Sequence, residues 1–272
     1  MTSQQSDFAS NRLISQLLMS ALALGCLGTQ VCAHAEGPEP EQSLSYNIGV
    51  LSDYRVRGIA QTSYKPALQG GIDFADKSGW YVGTFASNVR WVKEFNGATK
   101  GSVELDLYGG FRGGFDDLPF TYDAGIITYQ YPGNDSGVAG AFPAGTFANA
   151  STVEAYLAVT YKIYTLKYNR SLGNFLGNLS STGSQYFDLS AAIDLTNGFT
   201  LVPHIGHQSI PNQAGSLGDY SDASLTLSKD FGNGLVATGA VTGTDAKKVF
   251  YTDTNGRFLG KTALVLGLKY TF

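Results

Sequence analysis

Beyond residue 32 the chain has no cysteine; its two cysteines, Cys26 and Cys32, fall within the first 35 residues. If those residues are removed, the remainder enters an oxidising compartment with neither a disulfide framework nor a thiol metal site. After the N-terminus no apolar run approaches the ~20 residues that a spanning helix needs. Charge is sparse: 15% of residues are charged, well under the usual quarter, and the net charge is only −4. With no basic cluster, nucleic acid is not expected as a partner. Aromatics are not scarce, at 12%, which separates the chain from disordered sequences.

Residues 1–12 are polar and end on Arg12, Leu13 to Leu27 is mostly apolar, and Ala33-His34-Ala35 supplies a small-x-small site. This is the order of a secretory leader, with cleavage expected after Ala35. The domain division is therefore a signal peptide at 1–35 and one domain at 36–272. Two rivals are an anchor helix, which the interruptions Ser15, Gln16 and Ser20 disfavour, and a lipoprotein box at Ala23-Leu24-Gly25-Cys26, which lacks the usual leading Leu.

What fills the rest is a period of two. Leu44, Tyr46, Ile48, Val50, Tyr54 and Val56 alternate with Ser45, Asn47, Gly49, Asp53, Arg55 and Arg57. The same alternation runs through Val103–Arg112, Val153–Tyr161 and Tyr186–Leu195. Each such segment is a strand with one apolar and one polar face. About twelve are expected, near 43–56, 66–76, 79–91, 102–113, 119–131, 152–161, 164–170, 185–195, 198–208, 220–230, 234–243 and 261–272. Pro203 removes a ladder donor from one of them. Tight links (Asp76–Gly79, Gly114–Pro119, Lys162–Ile163, Thr196–Gly198, Phe231–Gly234) alternate with long ones (Gly58–Lys65, Val92–Gly101, Pro132–Ser151, Ser171–Ser184, Ser209–Asp219, Thr244–Gly260). Sorting by parity is the habit of membrane barrels, whose periplasmic turns are short and outer loops long. The fold class expected is all-β: a transmembrane antiparallel up-and-down barrel, in the outer membrane of a Gram-negative bacterium.

Such a barrel must close, because hydrocarbon satisfies no exposed backbone group. The apolar row then faces lipid and the polar row faces inward. Tyr46, Tyr54, Tyr161, Tyr164, Tyr168, Tyr270 and Phe272 are girdle candidates. The candidate lumen-lining charges are Asp53, Arg55, Arg57, Asp73, Arg90, Glu104, Asp106, Arg112, Glu154, Lys167, Asp188 and Asp194. Arg55 and Arg57 beside Asp73 would set a transverse field. The longest link, Pro132–Ser151, is expected to cap the outside rather than enter the lumen. Leu268, Tyr270 and Phe272 end the chain on an alternating aromatic strand, which resembles the signal that barrel assembly machinery reads.

The stretch Ser52-Asp53-Tyr54-Arg55-Val56-Arg57-Gly58-Ile59-Ala60-Gln61-Thr62, then Lys65–Phe74, Gly79–Val89 and Glu104–Gly110, resembles the proteobacterial TorF (Gcw_chp) family. Phe85 stands where that pattern would have Trp. The resemblance implies an outer-membrane barrel with a pore role, and it brings no catalytic residues. On this reading the partners are outer-membrane lipid, the assembly machinery, small hydrophilic solutes and, in a trimer rather than a monomer, copies of the chain. The rival is a non-conducting barrel acting through its loops as a structural, adhesive or receptor protein.

No enzymatic role, cofactor or metal is expected. His204 and His207, three apart on a strand, fall on opposite faces. His207-Gln208-Ser209 has the His-x-Ser spacing of outer-membrane lipid A deacylases, with Asp219 or Asp222 as an imaginable acid. It sits at a loop entrance, and those enzymes are smaller barrels.

Overall fold

A computed structural model describes residues 42–115 and 118–272; the leader and its cleavage site lie outside the described residues. In order along the chain come β1 (Gln42–Leu51), the short β2 (Arg55–Val56) and β3 (Ile59–Ala60), β4 (Ala67–Asp76), β5 (Trp80–Asn88), β6 (Val103–Phe115), β7 (Leu118–Gln130) and β8 (Thr152–Tyr161). Then follow β9 (Tyr164–Ser171), β10 (Gln185–Ala191), β11 (Ile193–Asp194), β12 (Phe199–Ser209), β13 (Tyr220–Asp230), β14 (Leu235–Thr244) and β15 (Ala263–Thr271). The pair β2–β3 stands apart from the wall, and β11 continues β10, so twelve strands make the wall. Each wall strand pairs antiparallel with its neighbours in sequence, and β1 pairs with β15 to close the cylinder.

Closure is completed by the final residue. The Tyr46 and Phe272 backbones exchange two 2.9 Å hydrogen bonds, and their rings stack at 5.8 Å. Leu44, Ile48 and Val50 on β1 and Leu264, Leu266 and Leu268 on β15 all lie exposed on the outer surface. A closed sheet has no hydrogen-bonding edge to protect, yet this one turns its aliphatic row outward. Hydrocarbon is the medium that such a surface fits. At the short-turn end, Trp80 meets Phe111 at 5.1 Å and Phe120 meets Tyr161 at 4.9 Å. With Tyr46, Tyr164, Tyr270 and Phe272 these rings form an interfacial girdle.

The first expected strand, 43–56, is too long. Its wall portion stops at Leu51, and Tyr54, expected at the lipid girdle, is 1% exposed inside the barrel. The cause is a tight turn. Arg57 (φ 49°) and Gly58 (φ 77°) are both left-handed between paired Val56 and Ile59. Two positive φ values in a two-residue loop make the type I′ turn that suits a hairpin's twist. The chain therefore doubles back inward while its alternation continues.

Pro203 acts as expected. The β10 ladder runs to the Ser190–His204 pair and resumes as β11 at Ile193–Leu201, so the break lies across from the proline. On the other edge of the strand the Ala192 N–H continues towards β9, donating to the Ile163 carbonyl at 2.8 Å.

On the lumen side of β5–β8, tyrosines lie across glycines of the next strand: Tyr81 opposite Gly110, Tyr108 opposite Gly83, Tyr156 opposite Gly125. A Cβ on Gly110 would strike the Ala124 carbonyl oxygen and the Tyr81 hydroxyl. Gly110→Ala is expected to cost about 1–3 kcal/mol by urea unfolding in detergent. At the outer-face Gly239, where the nearest atom to such a Cβ is Leu266 Cδ2 at 3.6 Å, the same change is expected to stay within about 0.5 kcal/mol.

Candidate functional site: the lumen and its inward hairpin

The β2–β3 hairpin sits inside the barrel at the long-loop end. Arg57, at its tip, reaches across to two separate parts of the wall. It donates to Glu154 of β8 at 2.5 Å and to the Gln208 side-chain oxygen of β12 at 2.6 Å. Its guanidinium lies over the Tyr186 ring at 4.4 Å and the Phe175 ring at 5.3 Å. Arg57 and Glu154 are both buried, with side-chain exposures of 7% and 0%. Tyr54 donates its hydroxyl to Glu104 of β6, and Tyr131 donates to the other oxygen of that carboxylate at 2.8 Å. Arg55 folds back onto Asp53 at 2.8 Å and onto the Lys261 carbonyl at 2.8 Å. The space left among Arg57, Gln61, Glu104, Tyr129 and Tyr131 is about 10 Å³, room for one water.

Outer loops hold the hairpin from above. The carboxylate of Glu94, in the helical turn Trp91–Glu94, accepts from Ser63 at 2.5 Å, Arg90 at 3.0 Å and Arg257 at 2.8 Å. Arg257 also pairs with Asp253 at 2.8 Å. Burial alone would raise the Glu94 carboxyl, but the Ser63 hydroxyl and the Arg90 and Arg257 guanidinium groups outweigh it and hold it below the ordinary range. A carboxylate with a depressed folded pKa stabilises above its unfolded pKa of about 4.3, and that contribution fades as pH falls through the folded value. Protection against hydrogen exchange in the loop 245–262, taken relative to the intrinsic rate at each pH, is therefore expected to stay flat from pH 8 to 5 and to fall below about pH 4. Glu94→Gln should show the lowered protection already at pH 7.

Below the hairpin the lumen is wetter. Ser43, Ser45, Asn47, Asp73, Arg112, Asp123, Lys167 and Ser190 are all partly exposed inward positions. The barrel is thus a polar vestibule open at the short-turn end and narrowed at the long-loop end.

The charges expected in the lumen divide into groups. Glu104, Asp106 and Glu154 face inward from the wall and are fully buried. Asp73 accepts from Tyr108 and from Asn47, not from either arginine, so the expected Arg55–Arg57–Asp73 field is not formed. Arg112 lies over Tyr81 at 5.4 Å and Lys167 over Tyr156 at 4.4 Å. Asp188 meets His204 at 2.8 Å. Asp53, Arg55 and Arg57 are inside, but on the hairpin rather than the wall. Two residues leave the set. Arg90 is exposed beyond the end of β5, where its partner is Glu94, and Asp194 is exposed at a periplasmic turn, accepting the Thr196 N–H at 2.7 Å. Arg90 lies two residues past the end of β5, and Asp194 is the last residue of β11, paired with Thr200 at the rim of the wall.

Sequence reading missed Asp123, His204 and Gln208 as lumen residues, although each sits on the polar phase of its strand. Asp222, considered only as a partner for catalysis, faces inward to Tyr186 at 2.9 Å. His207 points outward and bonds Ser221 at 3.0 Å. The loop 132–151 is mostly exposed, as a cap would be. Among the described residues no cluster of three His, Cys, Asp or Glu side chains is arranged to hold a metal.

These features define the class: a twelve-stranded outer-membrane β-barrel with a charged lumen and an inward hairpin. The family model described as "Bacterial protein of unknown function (Gcw_chp)" matches residues 34–272, and the chain belongs to that family. A search of the curated proteins finds no match. Among solved structures, the KdgM porin, alone and in complex with disordered oligogalacturonate, is similar in fold. In both cases the TM-score is 0.50 and identity 8%, covering 84% of this chain and 98% of that one.

Proposed function

We propose that the chain is a channel through which small hydrophilic solutes diffuse across the outer membrane of a Gram-negative bacterium. The observation that carries this is the lumen itself. Its wall is polar and charged along the barrel's length and partly exposed below the hairpin, and the narrow point is one hairpin, packed on its flanks against buried aromatic and aliphatic residues and tied at its tip to β8 and β12 by Arg57. Mixed signs at that level (Arg57 against Glu104, Asp106 and Glu154) suit dipolar or neutral polar solutes better than large ions of one sign.

The closed β1–β15 seam supports the reading that the terminal Leu268, Tyr270 and Phe272 serve the assembly machinery. Secretion through a leader cut after Ala35 belongs to the same proposal, as does a role without catalysis. The rival reading, a closed barrel acting through its loops, draws on the depth at which Arg57 is buried.

Planar-bilayer recording of the purified mature chain separates the two. Discrete conductance steps are expected from the wild type. Silence from folded protein, from both the wild type and a variant lacking the Arg57 side chain, would leave the closed barrel standing.

A further inference from the structure

Charges on the outer face of this wall are few, and their positions differ in meaning. At the short-turn end, Lys229 lies over the Phe199 and Phe231 rings at 4.7 and 5.8 Å, where a long side chain reaches the interface. At the long-loop end, among the described wall residues, a single formal positive charge faces outward: Arg170, one residue before the end of β9. It shares the outward phase of Tyr164, Leu166 and Tyr168 and is exposed. No hydrogen bond or ion pair joins it to another described residue. A guanidinium on the lipid side of a barrel is tolerated near an interface and disfavoured at the bilayer centre.

Its neighbours mark that interface. Arg170 pairs in register with Gln185 on β10, and Gln185 with Ser209 on β12. Outward-facing His207, also on β12, presents an exposed ring whose Nδ1 is taken by Ser221. The Tyr168 hydroxyl donates to the Gln185 side-chain oxygen at 3.0 Å, which leaves that amide's N–H groups for another acceptor. Directly below, Leu166, Phe187, Leu189 and Ile205 are exposed on the same three strands, and the Tyr168 and Phe187 rings meet at 4.8 Å. Donors without an acceptor thus sit at the outer rim over an unbroken apolar wall.

We propose that Arg170, with Gln185 and His207, seats the phosphate of a phosphorylated outer-leaflet glycolipid, the lipid A part of lipopolysaccharide, whose acyl chains run down over Leu166, Phe187 and Ile205. The guanidinium supplies paired N–H donors to phosphate oxygens. The amide and imidazole add flanking donors, and the wall supplies the apolar contact. The site is on the outside of the barrel and independent of conduction.

The test uses the full mature chain in detergent, with bound lipid read by native mass spectrometry. Bis-phosphorylated lipid A is compared with phosphate-free lipid A of the same acylation. The phosphorylated form is expected to bind at least about tenfold more tightly, as the loss of one charge-assisted contact implies. Arg170→Gln should reduce it to the phosphate-free level, while Arg170→Lys retains part of the preference and Lys229→Gln, at the opposite rim, changes nothing. Heat-modifiable gel migration confirms that each variant is folded. Equal binding of the two lipids, which needs no variant to observe, overturns the proposal. So does full displacement by equimolar inorganic phosphate, which would assign the seat to the free ion.

Discussion

Arg57→Ala is expected to increase single-channel conductance severalfold and, in the same protein, to lower unfolding stability by about 3–5 kcal/mol. Both effects come from one side chain. Arg57 is the hairpin's link to β8 and β12, and its guanidinium fills the space beside Tyr186 and Phe175. Without it the hairpin loses its anchor on the far wall and the narrow point widens. Glu154 is left fully buried, with Oε1 already lacking a partner. An uncompensated buried carboxylate is the expensive outcome of breaking such a pair. The double variant Arg57→Ala/Glu154→Gln separates the two consequences. Removing the stranded charge should restore most of the stability, as a double-mutant cycle would register, while the conductance stays high. A folded Arg57→Ala barrel with wild-type conductance would show that the hairpin is not the constriction.

The second large effect concerns the outer surface. Leu157→Arg is expected to cost about 2–4 kcal/mol in lipid bilayers, the penalty for a guanidinium near the membrane midplane. Leu157 is 50% exposed and stands midway up β8, between residues that face the lumen. The same arginine at Ser45, on the inward row of β1, should cost no more than about 0.5 kcal/mol, because the vestibule there holds water. Refolding titrations into vesicles measure both. Equal costs at the two positions would contradict the lipid-out, water-in orientation of the wall.

Much of the wall could be read from sequence because alternation answers a local question, namely which face a residue occupies. It places 152–161 and 220–230 on their observed bounds and correctly separates His204 from His207. What alternation does not reveal is the medium on each side. Tyr54 and Val56 keep the apolar phase, but Tyr54 meets Glu104 and Phe85 inside the barrel rather than lipid. The signal that could have found this is Ser52-Asp53, a pair of turn-forming residues inside the expected strand 43–56, where the chain bends off the wall. Charge partners were harder still. Glu154 and Gln208 are distant from Arg57 in sequence and meet it only because the hairpin crosses the lumen, and a one-strand pattern contains no trace of that crossing. Arg90 and Asp194 failed for another reason: Arg90 lies two residues past β5 and Asp194 is the last residue of β11, and at a strand end the side chain sits in the open at the rim.

The Tyr46–Phe272 junction has a consequence for the order of events in biogenesis. One row of β1 amides stays bare until β15 arrives to pair with it. Every other neighbouring pair is joined by a connection of modest length, so hairpins can zip locally. Among the described strands only this pair demands that segments so far apart in sequence find each other, the slowest kind of encounter for a chain. During that interval the bare edges invite pairing with foreign strands. The stage most vulnerable to aggregation is therefore the closing of the ring.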